Sequence, residues 1–86
     1  MFADVADAEI DRMLMPIDNL RYAQKSVVFV SDDPGRAIYT IRRGAVKLLQ
    51  TLADGTDRAV RFLTAGDVFG IEALLGRTYA HTAVAL

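Results

Sequence analysis

The chain contains no cysteine, which removes disulfides, thiolate metal sites and cysteine-held iron–sulfur clusters together. That composition fits a reducing compartment, and the cytoplasm is the expected location. With a single histidine, metal-ligand spacings such as HxH or HExxH are out of reach. No apolar run approaches the roughly 20 residues of a membrane-spanning helix, and the first residues are acidic where a secretory leader would be basic. No membrane partner and no targeting segment are expected. Positive charge is also short: ten basic against eleven acidic residues leave a net charge of −1, so there is no domain-wide field for a phosphate backbone.

What is present is apolar enough to fold. Hydrophobic residues make up 52% and charged residues 24% of the 86 residues, a length that allows one small domain and excludes two. Charge is uneven along it: five acids and Arg12 in residues 1–19, eight bases and four acids in 20–62, one base and two acids after that.

Ile10, Met13, Leu14 and Ile17 stand at helical spacing behind Asp7, a suitable N-cap. Pro16 disfavours helix at Met15. The expectation is a short helix over Ala8 to Leu14, its apolar stripe used for packing. From Leu20 the pattern turns to strands: Val27 to Val30, ended by Ser31-Asp32-Asp33-Pro34-Gly35; Ile38 to Ile41, ended by Arg42-Arg43-Gly44; Val46 to Leu52, running into the hairpin signal Asp54-Gly55; then Ala59 to Leu63. In that last run Val60 and Phe62 share one face with Arg58 and Thr64, while Arg61 points the other way beside Ala59 and Leu63. Glycines at 35, 44, 55 and 66 punctuate short strands as in an all-β sandwich or barrel. Ile71, Leu74 and Leu75 then mark one helical turn with Gly76 as its cap, and Ala83 to Leu86 reads as a strand.

Few constellations carry chemistry. A Ser/His/Asp triad would need Ser26 or Ser31 to meet His81, without a strand–Ser–helix elbow. Asp32-Asp33 reads as turn chemistry before general acid–base work. Backbone N–H groups at Gly70, Ile71, Glu72 and Ala73 open the helical turn and could attract an anion, but Glu72 already supplies negative charge there and the turn can satisfy itself. His81 could be a pH switch, a ligand contact, a haem ligand or a structural residue. Arg42, Arg43, Lys47, Arg58 and Arg61 read as a solvated outer face.

In order, KSVVFVSDDP at 25–34, IYTIRRGAVKLL at 38–49, DGTDRAVRFLTAGDVFG at 54–70 and HTAVAL at 81–86 resemble the N-terminal sensor domain of the CRP/FNR family of bacterial transcription regulators. The resemblance covers Tyr22 to Leu86. Its most specific parts are GDVFG and the G-x-V-x-L pattern at Gly44, Val46 and Leu48. It implies a mainly β fold, a double-stranded β-helix or jelly roll, following an N-terminal helical segment at 1–19 and occupying 20–86. In cyclic-nucleotide-binding members a glutamate after GD-x-x-G meets the ribose, and the arginine of an Arg-Ser/Thr-Ala triplet meets the cyclic phosphate. Here those places look like Ile71, with Glu72 one position late, and His81-Thr82-Ala83. Neutral histidine is a poor replacement for a bidentate arginine.

The resemblance therefore implies an effector-sensing, non-enzymatic domain that does not use cyclic AMP in the usual way, with Gly70, Ile71, Glu72, His81, Thr82 and Ala83 as candidate contacts to a small-molecule or gas effector. GIEAL and HTAVAL look like the FNR- and FixK-like branch, though a cysteine-held cluster is excluded; haem is a candidate without a supporting pattern. The family acts as a homodimer and reads DNA through a C-terminal part, which this sequence does not contain. The roll is then expected to be incomplete, with an open edge beside Ala83 to Leu86 for pairing with another chain. Two other readings stand beside this one, a stand-alone β-roll used for interaction or dimerisation and a cupin-like enzyme.

Overall fold

The computed structural model describes residues 7–13 and 17–86. Two antiparallel four-stranded sheets face each other as in a jelly roll. The strands in chain order are β1 (Ala8–Met13), β2 (Ile17–Tyr22), β3 (Val27–Phe29), β4 (Ile38–Arg43), β5 (Ala45–Thr51), β6 (Asp57–Thr64), β7 (Val68–Phe69) and β8 (Thr82–Ala85), with a 3₁₀ helix at Ile71–Leu75 before the last. One sheet has the order β2-β1-β4-β7 and the other β3-β8-β5-β6. Ile10 and Ile41 from the first and Val46 from the second are completely enclosed between them, at 0, 1 and 0% exposure. Burying such side chains contributes about 1.5–3 kcal/mol each.

The first segment departs from the expected helix. Ala8 to Met13 is a strand, paired with β2 on one side and β4 on the other. AEIDRM satisfies two periods at once. Beside the helical spacing, Ala8 and Ile10 alternate with Glu9 and Asp11, so a strand buries the first two and sets the acids against Arg43 (3.1 Å) and Arg42 (2.7 Å) of β4. A helix of two turns is marginal on its own, and packing decides between the periods. Leu14 and Pro16, which the helix reading also used, lie outside the described residues.

The middle strands form where expected. The β5–β6 hairpin turns through Ala53, Asp54 and Gly55, with Gly55 at φ +87°. The Asp54 carboxylate accepts from the Thr56 hydroxyl (2.7 Å) and amide (3.0 Å), which holds its pKa below the usual value. On β6 Leu63 marks the inward face, and Arg61 shares its parity while remaining exposed. Leu63 is buried opposite Val46, whereas Phe62 is 64% exposed. Register steps from Leu48–Arg61 to Leu49–Ala59, leaving Val60 as the extra residue of a bulge.

The expected open edge is absent. Strand β8 pairs with β3 on one side and β5 on the other. Its backbone is fully engaged around Ala85, which donates to Ser26 O and accepts from Lys25 N, each at 2.8 Å. Ala83 and Ala85 are wholly buried, and side chains this small let a central strand lie flat under the opposite sheet. The edges of this sheet are β3 and β6.

Candidate functional site

The 3₁₀ helix, the strand pair leading to it and the mouth of the β5–β6–β8 sheet enclose a cavity of about 330 Å³, in the size range of small-molecule sites. Its floor is aromatic. Phe29 stacks on Tyr79 with ring centroids 3.8 Å apart and lies 5.8 Å from Phe69, which stacks on Tyr39 at 5.3 Å. Tyr79 is fixed by its hydroxyl, which donates to Ala37 O (2.7 Å) and accepts from Ala37 N (3.2 Å). Burial pushes the Tyr39 phenol up to about 12.

Gly70 forms the corner between β7 and the 3₁₀ helix. It lies at φ +77°, and a Cβ there would come within 3.2 Å of Tyr79 Cε1 and 3.3 Å of both Phe29 Cε2 and Ala37 O. Only glycine meets both demands without strain. The helical turn that follows is the one expected, 3₁₀ in form and closed by Gly76 in the left-handed region. Its start is partly satisfied internally, since Ala73 N donates to Gly70 O.

Four of the six candidate contacts line the cavity: Gly70, Ile71, Glu72 and His81. Glu72 is already committed, because Oε2 accepts from Ala80 N at 2.8 Å and its carbonyl accepts from Arg77 N at 3.1 Å. Its carboxylate ties the end of the connecting loop to the helix while still facing the cavity. Thr82 and Ala83 do not line it. The Thr82 hydroxyl accepts from Ser31 N at 3.0 Å, which holds the turn after β3, and Ala83 is in the core.

The other lining residues, Arg61 among them, are not among the candidate contacts. Arg61 is solvent-exposed, as expected of the basic face, and also borders the cavity with Leu48, Leu63 and Leu75. The available signal was its parity with Leu63, since two residues apart on a strand means the same face. The acids Asp32 and Asp33 are exposed in their turn, where Asp32 N donates to Tyr79 O and Asp33 O accepts from Tyr79 N. Among the described residues no three His, Cys, Asp or Glu side chains gather as metal ligands, and no helix is long and apolar enough to cross a membrane.

The family model of the cyclic nucleotide-binding domain matches residues 19–86. The transcriptional regulator LdrP of Thermus thermophilus is 35% identical over 66 residues, 77% of this chain and 34% of that protein. Among solved structures, a CRP-family transcriptional regulator from Thermus thermophilus superposes with a TM-score of 0.72 at 35% identity, over 77% of this chain and 34% of the other. FixK2 from Bradyrhizobium japonicum superposes at 0.64 with 31% identity, over 72% and 30%. The chain thus spans about a third of the length of the curated relatives it matches.

Proposed function

Since the chain belongs to the cyclic nucleotide-binding domain family and is similar to CRP/FNR transcription regulators, we propose that its cavity receives a small effector without transforming it. Occupancy then shifts the conformational balance of a homodimeric, cytoplasmic regulator. DNA reading falls to a part outside these 86 residues, in keeping with the net charge of −1. One observation carries the reading: a cavity with an apolar floor and a few charged groups at its rim, built from the segment around GDVFG.

Cyclic AMP is not the effector in this proposal. His81 occupies the place where the resemblance expects the phosphate arginine, and the nearby carboxylate, Glu72, spends an oxygen on Ala80 N. Calorimetric titration with cyclic AMP tests the point. The expected result is no heat of binding at micromolar concentrations, and micromolar affinity would refute it. A probe dye sensitive to apolar sites should bind the native chain and be lost from Ile71→Trp, which fills the cavity.

A further inference from the structure

The sheet register places Arg61 in unusual company. Arg61 on β6 lies opposite Leu48 on β5, Leu48 opposite Ala83 on β8, and Ala83 opposite Phe29 on β3. These four residues form one row across the inner face, with an arginine at the open end of a row whose other end is buried. The adjacent row, Leu63, Val46 and Ala85, is fully core. A guanidinium that ends an apolar row at the exposed rim of a cavity is positioned for an anion whose remainder is apolar. Among the described residues the ion pairs join Arg12 to Asp18, Arg42 to Asp11 and Arg43 to Glu9, so Arg61 is not neutralised by a salt bridge.

His81, just before β8, has the same parity as Ala83 and Ala85 and also lines the cavity, adding a ring nitrogen on the far side of β5 from Arg61. Arg61 and His81 sit two strands apart, a Cα separation of about 10–12 Å from standard sheet spacings, which two side chains can close on one small group. Glu72 limits the charge of the guest. Its carboxylate faces the same cavity while held by Ala80 N. One arginine against one carboxylate leaves that pair without net charge, and the Glu72 carboxylate disfavours a second negative charge on the guest.

We propose, on the effector-cavity reading above, that this site takes a compact organic monocarboxylate, its head on Arg61 and His81 and its apolar body against Leu48, Leu63 and Ile71. Arginine suits a carboxylate because its planar fork donates two parallel hydrogen bonds.

The test uses the full chain with three probes of matched tail, namely octanoate, neutral octanamide and octyl phosphate, followed by calorimetry and backbone-amide NMR shifts. Octanoate should bind with shifts at Leu48, Ile71 and His81, and both other probes should bind at least about tenfold more weakly, the scale of one lost charge-assisted interaction. Arg61→Gln should weaken octanoate by about tenfold or more and leave octanamide unchanged, with partial recovery in Arg61→Lys. Failure of octanoate to bind, equal binding of octanamide, or indifference to Arg61→Gln would overturn the carboxylate assignment. If Ile71→Trp abolishes binding of both octanoate and octanamide while Arg61→Gln changes nothing, the cavity reading survives and the carboxylate falls. If Ile71→Trp has no effect either, both fall.

Discussion

Replacing Gly70 by alanine tests how the cavity corner is built, because two separable penalties meet there. The backbone sits at φ +77°, a region that costs an L-residue about 1–2 kcal/mol. The new methyl would also stand 3.2 Å from Tyr79 Cε1, 3.3 Å from Phe29 Cε2 and 3.3 Å from Ala37 O. Neither ring can withdraw easily, since they stack on each other at 3.8 Å and Tyr79 is tied to Ala37 by hydrogen bonds. Overpacking of this kind costs about 1–3 kcal/mol more.

Gly66 provides the control, as it lies at φ +93° with nothing within 4 Å of its would-be Cβ. Gly66→Ala should therefore lose about 1–2 kcal/mol and Gly70→Ala about 2–5 kcal/mol, from a total that for a domain of this size is about 4–13 kcal/mol. Urea unfolding followed by far-ultraviolet circular dichroism reads both, with a shift of midpoint at constant slope. Equal destabilisation of the two variants would refute the crowding argument and leave only the backbone preference.

Tyr79→Phe keeps the stack on Phe29 but strips Ala37 of its hydroxyl partner, and should cost about 1–3 kcal/mol by the same urea assay. Ile41→Ala removes a side chain at 1% exposure from between the sheets and should cost about 2–5 kcal/mol in thermal or urea unfolding. Spectrophotometric titration should show late-ionising tyrosine, because burial raises the Tyr22 phenol above its ordinary value and the Tyr39 phenol to about 12. The folded value lies above the unfolded one, so its stabilising contribution is complete below pH ~10 and is lost as pH rises toward 12. Asp11→Asn breaks an exposed pair with Arg42 and should change stability by less than about 1 kcal/mol, a difference that added salt should shrink further.

Local signals proved readable and distant ones did not. The Asp54-Gly55 hairpin and the turn at Ile71–Leu75 are encoded within a few residues, by glycines that accept positive φ and by apolar spacing over one turn. AEIDRM at 8–13 carries two periods, and the choice between them rests with β2 and β4, which a local pattern does not contain. The pairing of β8 is not encoded locally for the same reason. A strand without polar punctuation looks unfinished at its end, whereas here it is apolar because it is central. At the site, the resemblance to the family singles out Gly70 to Glu72 and His81, which border the cavity. The parity of Arg61 with Leu63 is legible on the strand, but that this exposed residue borders a cavity depends on the 3₁₀ helix and on Leu48 of the neighbouring strand.

The central position of β8 has a consequence for assembly. Strands β3 and β5 do not touch as neighbours; Thr82–Ala85 is the piece that joins them. As the polypeptide is made, the β5–β6 hairpin can form early, but β3 must wait unattached until a segment more than fifty residues later inserts beside it. Closure of this sheet is thus a late, non-local event, expected to make folding slow for so short a chain. The keystone of the arch is laid last, and it consists of two alanines alternating with a threonine and a valine.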